Sequence, residues 1–184
     1  MNFPQLDTQR LVLSEIMASD VDALFELFRQ EKVVEYYDLA AFSDSAQAEQ
    51  LLSLFISRFQ ENQGIRWGIR LKQANHLIGT CGFNSWSIPM KNAVIGYDLH
   101  PDYWQKGIAQ EAVKAMLTAG FTGRLSCGAL HRVQADTVLG NIPSERLLTS
   151  LGFKEEGLRR DSGYWKGRFH DLKCFGLLSN EYKG

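Results

Sequence analysis

The period of apolar residues changes several times along the chain, and each change marks a predicted element. Apolar residues recur at spacings of three and four in 21–30, beyond a capping stretch at 43–45, and in 107–121, which predicts helices. A fourth helix is predicted from Pro143, because proline fits a first helical turn, to its end at Gly152. Runs rich in β-branched and aromatic residues predict strands at 6–16, 65–71, 76–83, 93–99, 130–137, 154–160 and 170–178.

Composition agrees with a globular chain and narrows the possible partners. At 184 residues with 45% apolar residues, we expect a single domain over 1–184 with its own core. No apolar run is long enough for a membrane helix, and the N-terminus lacks the apolar middle of a signal peptide. A net charge of −1 gives no support for a nucleic-acid partner. Three isolated cysteines predict neither a zinc site nor a disulfide framework, and they favour a reducing, cytoplasmic compartment.

The stretch 93–121, AVIGYDLHPDYWQKGIAQEAVKAMLTAGF, combines a strand, a tight loop and a helix. Pro101 ends the strand, because proline has no N–H for a ladder, and Gly107 stands at the start of the helix. The first helical turn leaves backbone N–H groups free and carries partial positive charge. Lys106 adds a charge, and Ala109 adds little bulk. The stretch predicts a phosphate site, although an ordinary strand-to-helix connection would explain the same residues.

Two motifs in this order resemble a known family. Trp104 to Ala109, WQKGIA, resembles motif A of the GNAT N-acetyltransferases, with tryptophan in place of the usual first residue. The preceding IGYDLHPDYW, together with TQRLVL at 8–13 and FHD at 169–171, is similar to the RimJ/RimL-like branch. Asn141-x-x-Ser144, followed by LGF at 151–153, resembles motif B. The resemblance covers about 6–178 and implies an α+β GNAT fold. That fold would have a mixed central sheet of six or seven strands, about four flanking helices, and splayed central strands that form an acetyl-CoA cleft.

The resemblance also implies roles for individual residues. The pantetheine arm of acetyl-CoA would pair with the central strand at Leu99, whose amide is also the expected oxyanion donor. Asn141 would hold that arm and Ser144 would protonate the thiolate, although a turn residue and a helix-start residue are the alternatives. The residues that would hold the pyrophosphate are Gln105, Lys106, Gly107, Ile108 and Ala109.

The general base is harder to place. In several RimL-like proteins a glutamate in the final hairpin has this role, and the matching position here is Gly163. Asp98 on the central strand is the nearest alternative base, acting directly or through water. Tyr164 is a weaker alternative base and is also a candidate for the acceptor side. Tyr36 and Tyr37 are candidates for lining the acceptor pocket, with core packing as the alternative.

The predicted function is therefore acetyl-CoA-dependent N-acetylation of a primary amine, without a metal. The leading acceptor is a protein N-terminal α-amine, by resemblance to the ribosomal-protein acetylases. A polyamine, amino acid or drug amine is the alternative within the enzyme class, and a non-catalytic acyl-CoA-binding module is the alternative outside it. A homodimer is expected only by default.

Overall fold

A computed structural model describes residues 2–184, and its strands form one mixed sheet of eight. The order across the sheet is β1-β2-β3-β4-β5-β6-β8-β7. The strands are β1 (Leu6–Asp7), β2 (Leu11–Ser14), β3 (Ile65–Leu71), β4 (Leu77–Ser87), β5 (Asn92–Leu99), β6 (Arg132–Val138), β7 (Lys154–Trp165) and β8 (Arg168–Leu178). The helices are α1 (Val21–Phe28), α2 (Glu31–Val34), α3 (Ser45–Gln60), α4 (Ile108–Phe121) and α5 (Ile142–Ser150).

Each face of the sheet is covered by its own helices. Side chains alternate between the faces along a strand, so neighbouring residues of β5 serve different layers. Leu99 and Ile95 pack with α4 and α5 residues such as Met116 and Leu148 in the larger core. A second core joins α1 and α3 on the opposite face, where Leu24 and Leu52 are buried. The predicted α+β class and GNAT-type layering are confirmed.

Local chemistry fixes where the helices begin. At α3, Asp44 accepts a hydrogen bond from the Ala46 amide at 2.9 Å, and Gln47 Oε1 accepts one from the Asp44 amide at 3.1 Å. This reciprocal arrangement satisfies amides that the first turn cannot pair internally. At α5, Asn141 is the N-cap and Pro143 lies in the first turn, as the sequence predicted.

The sheet opens between its two central strands. β5 and β6 are parallel and pair only from Asn92 with Arg132 to Val94 with Gln134. Beyond that point β5 stays paired with β4 up to Leu99, while β6 stays paired with β8 through Val138. Each strand therefore follows its antiparallel neighbour, and the two separate. The predicted splay is confirmed, and it leaves backbone groups of β5 without a strand partner.

The structure differs from the prediction in the number of strands, in the number of helices and in the length of one strand. The first strand is split, because Thr8 turns the chain and accepts the Leu11 amide on its hydroxyl at 2.8 Å. Eight strands result instead of six or seven. The four-residue helix α2 raises the helices from four to five. β7 also runs on to Trp165 rather than ending at 160. Across residues 2–184, no helix combines the length and apolar character needed to cross a membrane.

Candidate active site

The loop between β5 and α4 carries two residues with left-handed backbone. Gln105 has φ of 60° and Gly107, the N-cap of α4, has φ of 71°. The first intrahelical bond runs from the Glu111 amide to the Gly107 carbonyl at 3.1 Å, so the amides between them have no helical acceptor. Such free amides at a helix N-terminus suit an anion. The Lys106 ammonium donates to the Asp102 carbonyl at 2.7 Å, so it lies over the turn before the helix.

This loop is held from outside by the turn between β1 and β2. Arg10 Nη1 donates to the Lys106 carbonyl at 2.9 Å, and Arg10 Nε donates to Glu111 Oε2 at 2.7 Å. The Arg10 amide and the Thr8 hydroxyl both donate to Glu111 Oε1, at 2.8 and 2.6 Å. Burial opposes ionisation of Glu111, but these hydrogen bonds outweigh it and lower the pKa of Glu111. The N-terminal turn therefore fixes the loop backbone.

The amide of Leu99 faces the gap between β5 and β6. Its neighbour His100 donates its amide to the Ile78 carbonyl of β4 at 2.8 Å. Amides alternate sides along a strand, so those of Leu99 and Tyr97 point the other way. The Leu99 carbonyl accepts the Trp104 indole N–H at 2.7 Å, which fixes this peptide. The geometry thus gives Leu99 the orientation that an oxyanion or pantetheine contact requires.

Tyr97, which the sequence did not identify as a site residue, contacts Ser144 across the gap between β5 and β6. The Tyr97 hydroxyl lies 2.5 Å from Ser144 Oγ, with either group able to donate. Burial raises the pKa of Tyr97 to about 12, against the opposing effect of the Ser144 hydrogen bond. Tyr97 therefore keeps its proton at neutral pH. Asn141 Oδ1 accepts the Ser144 amide at 3.3 Å, so Asn141 caps the helix that carries Ser144.

Between the splayed strands lies a cavity of about 250 Å³, called here the central cavity. Tyr97, Asn141 and Ser144 line it, as do both Tyr36 and Tyr37. The Tyr36 hydroxyl donates to the Gly140 carbonyl at 3.2 Å and so spans the cavity's two sides. The residues that sequence reasoning missed are Asp38, Asn84, Asp136, Thr137 and Trp165.

Asp98 is not among the residues that line this cavity. Its side chain is 0% exposed and forms an ion pair with Arg66. It also accepts the Thr80 hydroxyl at 2.9 Å. A carboxylate held in this way is poorly placed to take a proton from an amine directly, because its side chain has no exposed surface. The geometry therefore favours a role for Asp98 that acts through another group.

The final hairpin differs from the prediction by one residue. Tyr164 is 64% exposed and packs on Phe169 with ring centres 4.9 Å apart, so it lies outside the central cavity. Trp165 lines the cavity instead, because adjacent strand residues face opposite sides. A Cβ added to Gly163 would lie 1.9 Å from Cζ3 of Trp165. The indole thus fills the space that a glutamate at position 163 would need.

Comparison with known proteins identifies the family. The model of the acetyltransferase (GNAT) domain matches residues 10–154. The chain is 38% identical over 179 residues to the uncharacterised N-acetyltransferase p20 of Bacillus licheniformis, covering 97% of this chain and 98% of the relative. It is 35% identical over 176 residues to the uncharacterised N-acetyltransferase YoaA of Bacillus subtilis (strain 168), covering 96% and 97%.

A solved structure shares the whole fold. RimL, described as a ribosomal L7/L12 alpha-N-protein acetyltransferase in complex with coenzyme A, superposes with a TM-score of 0.82. The match covers 95% of this chain and 98% of RimL at 20% identity. The family model and the two Bacillus relatives decide the assignment: the chain belongs to the GNAT acetyltransferase family and is an N-acetyltransferase.

Proposed function

We propose that residues 1–184 act as one domain that transfers the acetyl group of acetyl-CoA to a primary amine in the central cavity. The observation that supports this proposal is the gap between β5 and β6, together with three sets of polar groups on β5, at the start of α4 and on α5. These are the free amides at the start of α4, the Leu99 amide, and the Tyr97–Ser144 pair. An elongated thioester needs such contacts at its phosphates, at its carbonyl oxygen and at its sulfur.

Each part of acetyl-CoA would have its own binding residues along the gap between β5 and β6. Its pyrophosphate would take the amides of Gly107, Ile108 and Ala109, with Gln105 and Lys106 shaping the loop. The Leu99 amide would stabilise the oxygen that gains negative charge when the amine attacks the carbonyl carbon. Asn141 would act through Ser144, since its side chain caps the helix that carries the hydroxyl.

The Tyr97–Ser144 pair would protonate the leaving thiolate. Ser144 and Tyr97 share a short hydrogen bond, and Tyr97 holds its proton at neutral pH. The C–S bond breaks as the C–N bond forms, and the proton passes from this pair to sulfur. The proton that the amine nitrogen loses goes to water, and water reprotonates the pair. General acid catalysis of this kind is typically worth about 10²–10⁴-fold.

The class of acceptor amine follows from its pKa, which sets how easily the amine loses a proton. An α-amine has a pKa of about 7.7–8.0, whereas a lysine side chain has about 10.4, so deprotonating lysine costs roughly 3–4 kcal/mol more. Trp165 fills the space that a glutamate base at position 163 would occupy. A site without that base suits an α-amine, so the leading acceptor is a protein N-terminus, ribosomal or other. A small polyamine, amino acid or drug amine with a low pKa satisfies the same condition.

The binding half of this proposal is tested by thermal unfolding. Acetyl-CoA should raise the Tm in a concentration-dependent way, while adenine should not, because the loop holds phosphate rather than the base. Equal shifts with both compounds would reject the loop assignment. The catalytic half is tested by thiol release from acetyl-CoA with N-terminal peptides, polyamines and amino acids as separate acceptors.

A further inference from the structure

The side-chain amide of Asn84 on β4 is held in one orientation. Arg66 Nη1 donates to Asn84 Oδ1 at 2.9 Å. A guanidinium has donors and no acceptor, so the oxygen of the amide must face it and Nδ2 must face elsewhere. Nδ2 donates to no residue among 2–184, and it is not one of the buried unpaired atoms. Asn84 therefore presents accessible N–H groups that have no partner within the described chain.

Arg66 keeps this orientation because its other nitrogens are engaged. Nε donates to the Thr80 hydroxyl at 2.9 Å, and Nη2 forms an ion pair with Asp98. Both charged side chains of that pair are buried. Separating a buried ion pair is strongly destabilising, so the guanidinium stays in place. Asp98 thus acts on Asn84 through Arg66, by hydrogen bonds that the structure shows.

The free amide nitrogen of Asn84 lies over Gly96 of β5. A Cβ built on Gly96 would come within 2.7 Å of Nδ2, and both residues line the central cavity. Neighbouring strand residues point to opposite faces, so Tyr97 and its partner Ser144 lie on the other face of β5, with α4 and α5. The contacts proposed for acetyl-CoA are on that other face. Asn84 is therefore on the side from which an amine would reach the thioester.

We propose that Asn84 is a specificity-determining residue that donates a hydrogen bond to a carbonyl oxygen beside the acceptor amine. This inference rests on the proposed function and narrows its substrate class. In a peptide N-terminus or an aminoacyl amide, only the α-carbon and the carbonyl carbon separate the amine nitrogen from the carbonyl oxygen. One molecule can thus place its nitrogen at the thioester and its oxygen at Nδ2. A polyamine carries only amines, which are mostly protonated at neutral pH and offer Nδ2 no acceptor.

The charges around the central cavity favour a neutral carbonyl over a carboxylate. Asp38 and Asp136 line the cavity, and no Lys, Arg or His among residues 2–184 does so. A free carboxylate would meet negative charge there, whereas the carbonyl of a peptide or an amide would not. The acceptor is therefore an amine with a neutral carbonyl beside it, rather than a polyamine or a free amino acid.

Steady-state acetyl transfer to alaninamide, alanine and spermidine tests the proposal. Asn84→Asp keeps the oxygen that Arg66 contacts and replaces the NH₂ group with oxygen. KM for alaninamide should rise about tenfold, the worth of one hydrogen bond, while KM for spermidine should not rise. The Kd of acetyl-CoA should change less than twofold. Each acceptor is compared with itself in the two proteins, so differences in amine pKa cancel. Asn92→Asp makes the same change at a half-buried asparagine that starts β5 outside the cavity, and it should leave these constants unchanged.

The inference and the proposed function fail in different ways. An unchanged KM for alaninamide in Asn84→Asp would overturn the inference. Equal losses with alaninamide and spermidine would also overturn it, because they would assign Nδ2 to the thioester oxygen or to the fold. Wild-type transfer to spermidine or alanine in preference to alaninamide would overturn it and leave the proposed function standing. Asn84→Ala removes the amide without adding charge, and it should show the same loss with alaninamide if Asn84→Asp does not fold. If the wild type binds acetyl-CoA but acetylates no amine, the proposed function itself is wrong.

Discussion

The hydroxyl of Tyr97 on β5 lies 2.5 Å from the hydroxyl of Ser144 on α5, and this contact links the two halves of the opened sheet. β5 belongs to the antiparallel half made by β1 to β5, while α5 follows β6 in the other half. The contact brings a proton donor to the gap where the thioester sulfur would lie. The position of this proton donor therefore depends on the separation of β5 and β6.

Ser144→Ala should therefore lower kcat with little change in the Kd of CoA. The expected loss is roughly tenfold to a hundredfold, the low end for general acid catalysis, because a thiol with a pKa near about 8.5 is already a fair leaving group. Tyr97→Phe should act in the same direction. Ser150→Ala, an exposed serine on the same helix, is the control. Wild-type turnover in Ser144→Ala at saturating acetyl-CoA would reduce Ser144 to a residue that starts a helix.

Arg10 should matter for binding of acetyl-CoA although it lies outside both motifs. Arg10→Ala removes the bonds to the Lys106 carbonyl and to Glu111, which frees the loop backbone and leaves Glu111 half satisfied. We expect the Kd of acetyl-CoA to rise about tenfold, as for the loss of a charge-assisted contact. Calorimetric titration measures this change. Arg124→Ala removes an exposed cation near the C-terminal end of the same helix and should bind normally. Unchanged affinity in Arg10→Ala would show that the loop keeps its shape unaided.

Gly96→Ala should destabilise the protein, because the new methyl would press on Asn84 and Arg66. Overpacking of this kind typically costs about 1–3 kcal/mol. Urea unfolding should show a lower midpoint with an unchanged slope. Gly128→Ala, where an added Cβ meets nothing within 4 Å but φ is 74°, controls for a general glycine effect. Gly96 has no such positive φ, so a loss in Gly128→Ala measures backbone strain that Gly96 does not share, and an unchanged midpoint in Gly96→Ala would mean that Asn84 and Arg66 make room for the methyl group without cost.

Alkaline pH should weaken the fold through Cys81. Burial raises the pKa of its thiol from 9.0 to about 12, with Arg66 opposing the rise. Between these values the unfolded chain releases a proton that the native state retains, so the free energy of unfolding falls as pH rises. One group contributes up to about 1.4 kcal/mol per pH unit. Urea titrations at pH 9 and 10 should show a shallower fall in Cys81→Ala than in the wild type. If the free energy of unfolding falls equally with pH in both proteins, the burial of this thiol is not the cause.

Much of the fold was predictable where the spacing of apolar residues agrees with the capping residues and prolines that mark where an element begins. β3 matched its predicted limits, and α4 and α5 began within a residue of theirs, because a cap or a proline marks each start. The split of the first strand was missed, because the hydrogen bonds between Thr8 and Leu11 make a turn inside a run whose alternation predicts one continuous strand. α2 was missed because four residues are too few to show a helical period.

The candidate site was predictable where it rests on motifs and not where it rests on tertiary contacts. The loop residues around Gly107 and the pair Asn141 and Ser144 lie where the resemblance implied. Tyr97 was missed because an aromatic residue on a central strand is expected to belong to the hydrophobic core. Tyr164 was chosen over Trp165 because the register of a hairpin decides which neighbour faces inward, and sequence alone does not fix it.

The central claim is that the cleft both binds acetyl-CoA and delivers its acetyl group to an amine. Amine-dependent thiol release at saturating acetyl-CoA, measured for the wild type and for Gly107→Val, tests it most directly. We predict release with at least one primary amine in the wild type. We also predict its loss in Gly107→Val, where φ of 71° strains a β-branched residue and its side chain obstructs the phosphates. Tight binding of acetyl-CoA with no thiol release for any amine, or full activity in Gly107→Val, would contradict the account.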